Sequence, residues 1–319
     1  MNTPVVDFVR RYARQRTARM HMPGHKGRGP LGCEELDITE IAGADELYEA
    51  EGIIAQSEAN ATQLFGTART YYSTEGSSQC IRAMLHLALQ MRPAKAGRPV
   101  LLAARNAHKA LLYAAALLDF DIQWLWPAPD AAGGALHPAL WSRRRSLLRW
   151  TSWPPGPHAL RRLPHQPGLS GLRAGCRGAV GGLPRPRPAP SGGQRPRRLS
   201  PLFEGGPARH PIQMGADLCC DSAHKTLPVL TGGAYLHLGP SVQADEAAVR
   251  NALALFGSTS PSYLILQSLD AANAVLADGF REKLDICRWR LGMLCRELDA
   301  LRPGLALPPH RGRTASPSS

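Results

Sequence analysis

Between Thr70 and Leu125 short β-prone runs alternate with apolar helical stretches, and no other feature restricts the fold of this chain as much. Thr70–Ser73 is β-prone, and Glu75-Gly-Ser-Ser78 then turns into an apolar helix from about Cys80 to Met91. Val100–Ala103 reads as a short buried strand, Asn106–Lys109 opens a helix over Ala110–Leu118, and Asp121–Leu125 is a further strand. Parallel strands need long crossovers, which helices supply, so this order predicts an α/β fold with helices on both faces of a parallel sheet. Gly52–Phe65 has helical spacing through Ile53, Ile54, Ser57, Ala61 and Leu64. After Asp217 a strand, a turn through Lys225 and a second strand run to Leu238, and helical patterns fill Gln243–Ala254 and Tyr263–Leu301.

Charge and cysteine usage remove several classes of protein. Met1–Met20 carries five arginines without the apolar segment of a secretory signal and reads as an amphipathic arm. No run of about 20 apolar residues is present, so no membrane span is expected. The seven cysteines form no C-x-x-C pair, and no second ligand pair has zinc-like spacing. Reduced thiols in a cytoplasmic protein without a metal are therefore expected. Adjacent Cys219 and Cys220 read as strand residues on opposite faces. The net charge of +13 would ordinarily point to nucleic acid, but residues 143–209 hold 14 Arg, no Lys and one acid, Glu204. That window alone nets +13, so the remainder is neutral and no specific nucleic-acid partner is expected.

Three short motifs can carry chemistry. Ser222-Ala-His-Lys-Thr226 lies between two β runs. There a lysine can be desolvated enough to act as a Schiff-base amine, and a hydroxyl three residues earlier can reach a phosphate. A solvated surface turn is the plainer reading of S-x-H-K taken alone. Gly76-Ser77-Ser78, where a strand gives way to a helix, offers backbone N–H groups and hydroxyls to an anion, or simply an N-cap. His108, in Asn106-Ala-His-Lys109, could stack on an aromatic ring or be structural.

Together with H-M-P-G-H-K-G at 21–27, L-D-I-T-E-I-A-G-A-D at 36–45 and G-A-D-L-C-C-D-S-A-H-K-T-L-P at 215–228, these motifs resemble the Orn/Lys/Arg decarboxylase family in order and spacing. The resemblance implies a three-layer, fold-type-I large domain with a mainly parallel central sheet, and pyridoxal 5'-phosphate as cofactor. Lys225 would then form the Schiff base and His224 would flank the cofactor. His108 would stack on the pyridine ring, while Gly76, Ser77, Ser78 and Ser222 would hold the phosphate. The loop with His25 and Lys26 would lie near the site. The implied substrate is a basic amino acid (lysine, ornithine or arginine), and intact members would be homodimers or larger homo-oligomers. Other fold-type-I chemistry, such as an aminotransferase or lyase, and a non-catalytic remnant are the alternatives.

The family also places an Asp, in text like V-D-N-A-H-G-A, some 30 residues before the lysine to pair with the pyridine nitrogen. Here that place reads Gly192-Gly-Gln-Arg-Pro-Arg-Arg-Leu-Ser200. A permitted back-translation of these residues, read one base later and closed by the first base of Pro201, gives V-D-N-A-H-G-A-Y-L. The same shift turns Arg161–Gly171 into A-V-Y-L-T-S-P-D-Y-L-G, another strand and turn of the family. We therefore read 143–209 as an out-of-frame segment that disrupts the sheet; a genuine basic, Pro-rich insertion is the competing reading. The expected organisation is a helical arm at 1–20, a cofactor-binding major domain at 21–240, and at 241–319 the helical start of a C-terminal region, expected to be truncated.

Overall fold

The computed structural model describes residues 1–91, 97–104, 107–125, 159–163, 177–180, 210–213 and 216–301. Its elements follow the alternation closely. Helix α1 (Pro4–Gln15) and α2 (Ile53–Phe65) precede β1 (Arg69–Ser73), α3 (Gly76–Met91), β2 (Val100–Ala104), α4 (Ala110–Leu118) and β3 (Asp121–Leu125). After β4 (Ala159–Leu163) and β5 (Arg177–Val180) come β6 (Leu218–Asp221), β7 (Ala234–Leu238), α5 (Glu246–Ala254), α6 (Tyr263–Ala277) and α7 (Phe280–Leu301). The helical text from Tyr263 to Leu301 is two helices. The chain leaves α6 at Asp278, and Gly279 adopts φ +62°, a left-handed geometry that interrupts the ladder.

Among the described residues the strands form two sheets. In the order β3-β2-β4 every pairing is parallel, as the alternation predicts. In the order β1-β7-β6-β5 every pairing is antiparallel, so this half departs from the mainly parallel arrangement. β1 and β6 nevertheless run the same way, because each is antiparallel to the β7 between them.

Alternate residues of these strands face two helical layers. Tyr71, Cys220 and Leu236 pack with α3, α4 and α5, whereas Tyr72 and Tyr235 pack with α1, α2 and α6. Each fully buried side chain of this size contributes about 1.5–3 kcal/mol, so the two cores fix the register of β1, β6 and β7. Cys219 and Cys220 do face opposite ways, Cys219 joining Ile212 and Ala216. The N-terminal arm is part of this body: Val5 and Val9 share a core with Ile54, Leu64 and Leu266.

The 143–209 window is not uniformly irregular. β4 pairs with β2 at the edge of the parallel sheet, with a register shift between Leu101 and Ala103, and β5 pairs with β6. Ladders are made by the main chain, so unfavourable side-chain text can still supply short strands. The rest of the window, including Gly192–Ser200, lies outside the described residues.

Candidate active site

The Lys225 loop is built by the return from β6 to β7. Past Asp221 the chain enters a single 3-10 turn, Ala223–Lys225, in which Lys225 N donates to Ser222 O at 3.1 Å and Thr226 N to Ala223 O at 3.1 Å. His224 is fixed twice to one acceptor: its backbone N lies 3.2 Å, and its Nδ1 3.0 Å, from Gly233 O. A carbonyl only accepts, so Nδ1 carries a proton, and in the neutral ring Nε2 is left as the acceptor. Buried Ser222 donates to the Oγ of Ser77 at 2.7 Å, across 145 residues of sequence.

Ser77 sits in the first turn of α3, whose backbone N–H groups point out of the helix end. Gly76 adopts φ +76° and donates to Gly232 O at 2.6 Å. Gly232 itself, at φ +102°, lies so close to β1 that a Cβ there would come within 2.6 Å of Thr74 O. Only glycine fits, and this contact clamps the start of α3 to the segment after Lys225. Sequence reasoning missed Gly232; the Gly232-Gly233 pair before a strand was its signal.

The structure thus brings Gly76, Ser77, Ser222, His224 and Lys225 to one end of β1, β6 and β7. His108 belongs to the same place. Burial, then the charges of Lys225 and Lys109, hold its pKa below the usual histidine value, and its Nδ1 accepts from Ala110 N at 3.2 Å at the head of α4. Ser78 is half-buried, and its carbonyl accepts from Arg82 Nε at 3.2 Å. Lys225 is exposed rather than desolvated, which departs from the environment expected of a Schiff-base lysine. In the 21–27 loop, His25 Nε2 meets Asp37 Oδ2 at 3.2 Å and its Nδ1 accepts from Gly27 N at 2.9 Å, while Lys26 Nζ donates to His21 O at 2.6 Å.

The donors suit a phosphorylated aldehyde. Two hydroxyls and a helix N-terminus form an anion cradle; an amine that can attack a carbonyl carbon and a flat ring kept neutral stand beside it. The pyridine-nitrogen carboxylate expected in 192–200 falls outside the described residues.

Fold and loop together have the fold-type-I architecture of the pyridoxal-phosphate class. The family model "Orn/Lys/Arg decarboxylase, major domain" matches residues 3–139 and 208–287, and the chain belongs to this family. Uncharacterized protein YaaO of Bacillus subtilis (strain 168) is 28% identical over 337 residues, covering 97% of this chain and 64% of that protein. The arginine decarboxylase of the same organism is 26% identical over 291 residues, covering 88% and 56%. The chain therefore spans about 56–64% of the length of these relatives. The fold is that of the Escherichia coli constitutive lysine decarboxylase, with a TM-score of 0.66 at 19% identity, covering 98% of this chain and 47% of that one. The Francisella novicida lysine decarboxylase LdcF gives 0.67 at 16% identity, covering 98% and 46%.

Proposed function

We propose that this chain carries the cofactor half of a pyridoxal-phosphate-dependent decarboxylase acting on a basic amino acid, with Lys225 as the cofactor lysine. The observation that supports this most is the 2.7 Å contact between Ser77 and Ser222, which joins the helix-end anion cradle to the lysine turn. When bound, pyridoxal phosphate supplies an electron sink for the pair left at Cα as CO2 departs.

The chain's own residues bind, orient and protonate. Ser77, Ser222 and the first-turn N–H groups of α3 beyond Gly76 would hold the phosphate and so anchor one end of the ring. His108, kept neutral by burial and by the two neighbouring lysines, presents an uncharged face for stacking. His224 Nε2, aimed by the Nδ1–Gly233 hydrogen bond, is an acceptor beside the lysine turn. Lys225 Nζ would hold the cofactor aldehyde and, as an amine, could also carry a proton.

Borohydride treatment of the chain loaded with pyridoxal phosphate, followed by peptide mapping, should place the pyridoxyl group on Lys225. A label on Lys26 or Lys109 would overturn the assignment. Ser77→Ala should weaken cofactor binding roughly ten- to a hundredfold, the loss of one hydrogen bond to a charged group of about 1.5–3 kcal/mol; titration of cofactor fluorescence measures it. Amine and CO2 as products support decarboxylation; a keto acid would point to transamination.

A further inference from the structure

On the face of β6 turned away from α3, four ligand-type side chains converge that the Lys225 chemistry does not use. Cys219 and Asp221 are two residues apart on β6 and share a face, and His237 on β7 is the cross-strand partner of Cys219. His210, from the turn that precedes β6, lies over them, its ring edge-on to that of His237 at 5.2 Å. His210 Nε2 is 3.0 Å and His237 Nε2 3.5 Å from Asp221 Oδ2, while Cys219 Sγ is 4.0 Å from Asp221 Oδ1. The ligand atoms of His210, Cys219 and Asp221 all lie within 4.8 Å of one another. His210, Cys219 and His237 are fully buried, the Asp221 side chain is 13% exposed, and Phe65 packs on both imidazoles.

We propose that His210, Cys219, Asp221 and His237 form a closed structural site for a zinc-class divalent cation. Tetrahedral zinc, with bonds of about 2.0–2.3 Å, sets neighbouring ligand atoms about 3.3–3.8 Å apart. The His210–Asp221, His237–Asp221 and Cys219–Asp221 separations of 3.0, 3.5 and 4.0 Å lie around that range, and His237, held through Asp221, would swing in as the fourth ligand. A thiolate and a carboxylate balance the dication, so the buried set becomes electroneutral. Mixed N, S and O donors favour zinc or cobalt over magnesium or calcium. A second shell is already built: Thr70 Oγ1 lies 2.8 Å from His237 Nδ1 and 2.8 Å from Thr67 Oγ1, which aims His237 Nε2 at Asp221. The proton count is definite. The thiol proton of Cys219 leaves to solvent. With Ile212 N donating to His210 Nδ1 at 3.3 Å, the His210 ring proton sits on Nε2. Binding moves that proton to Nδ1 and gives up this long hydrogen bond. Bound metal would tie β6 to β7 and to the 210–213 turn, through a ligand, Asp221, that lies four residues before Lys225. The ligands come from three separate places, so linear spacing does not show them.

The test uses the full chain and the metals alone. Zinc added before gel filtration should be retained at one equivalent, and cobalt should give a sulfur-to-metal charge-transfer band. Cys219→Ser should abolish that band and lower zinc affinity at least tenfold, whereas Cys33→Ser should leave both unchanged. Thr70→Val should lower affinity about tenfold with the band preserved, as loss of an orienting partner does. Circular dichroism without metal checks that each variant folds. If Cys219→Ser does not fold, His210→Gln and Thr70→Val decide; unchanged zinc affinity in both overturns the site. Failure to retain zinc, or a thiolate band that persists in Cys219→Ser, overturns it as well.

Discussion

Glu58 shows how a single residue sets both packing and pH response. It is buried on α2, accepts from Tyr72 N at 2.8 Å and faces Arg250 at 3.0 Å. Burial, opposed by the Arg250 charge, pushes its pKa up from 4.5 to about 7. A carboxyl that binds its proton more tightly when folded stabilises the fold most below its unfolded pKa. That contribution is lost as pH rises through the folded value. Stability should therefore fall from about pH 4.5 to about pH 7, and Glu58→Gln should flatten this decline in urea midpoints taken across the window. A steeper decline in the variant would refute the burial argument. Gly232 tests backbone shape instead. Gly232→Ala forces a side chain into a left-handed conformation against Thr74 O and should cost about 2 kcal/mol or more, read as a lower thermal midpoint.

At the scale of elements, α1 is held by a distant cap. Thr3 makes no side-chain cap, and instead buried Asp270 of α6 accepts from Val5 N and Val6 N, each at 3.0 Å, and from the Ser57 hydroxyl. A carboxylate at a helix N-terminus also meets the positive end of the helix dipole. Asp270→Ala should strand two N–H groups, cost about 3 kcal/mol, and expose residues 4–15 to hydrogen exchange before the rest of the chain. Global exchange without early loss of α1 would show that the latch is not local. α7 behaves oppositely. Leu291 and Leu294 are 54% and 49% exposed, so Leu291→Lys with Leu294→Lys should raise solubility and shift stability by no more than about 0.5 kcal/mol. A large drop in thermal midpoint would mean that these leucines are covered in solution.

For the whole molecule, the family match stops at residue 139 and resumes at 208, so the unmatched stretch 140–207 covers most of the window read as out of frame. The proposal is that a one-base correction near codon 143, compensated near codon 209, restores the family strands and the pyridine-nitrogen Asp. An opposite charge within about 4–6 Å keeps that nitrogen protonated. The corrected chain should bind pyridoxal phosphate markedly more tightly than the chain as written, as cofactor absorbance would show. Equal binding by both would remove the Asp argument.

The sequence by itself determined the elements and the lysine loop. The two-residue and 3.6-residue periods of Thr70–Leu125, and the S-A-H-K-T text at 222–226, are local signals. Its short-range limits show at the ends of elements: α3 begins at Gly76 rather than near Cys80, because Gly232 O takes the Gly76 N–H from across the fold. The antiparallel course of β7, the Ser77–Ser222 contact, the grouping of His210, Cys219 and Asp221, and the approach of His237 to Asp221 were decided by tertiary structure alone. Each depends on which strand lies beside which, and that is set by the summed burial of two cores rather than by any neighbour along the chain.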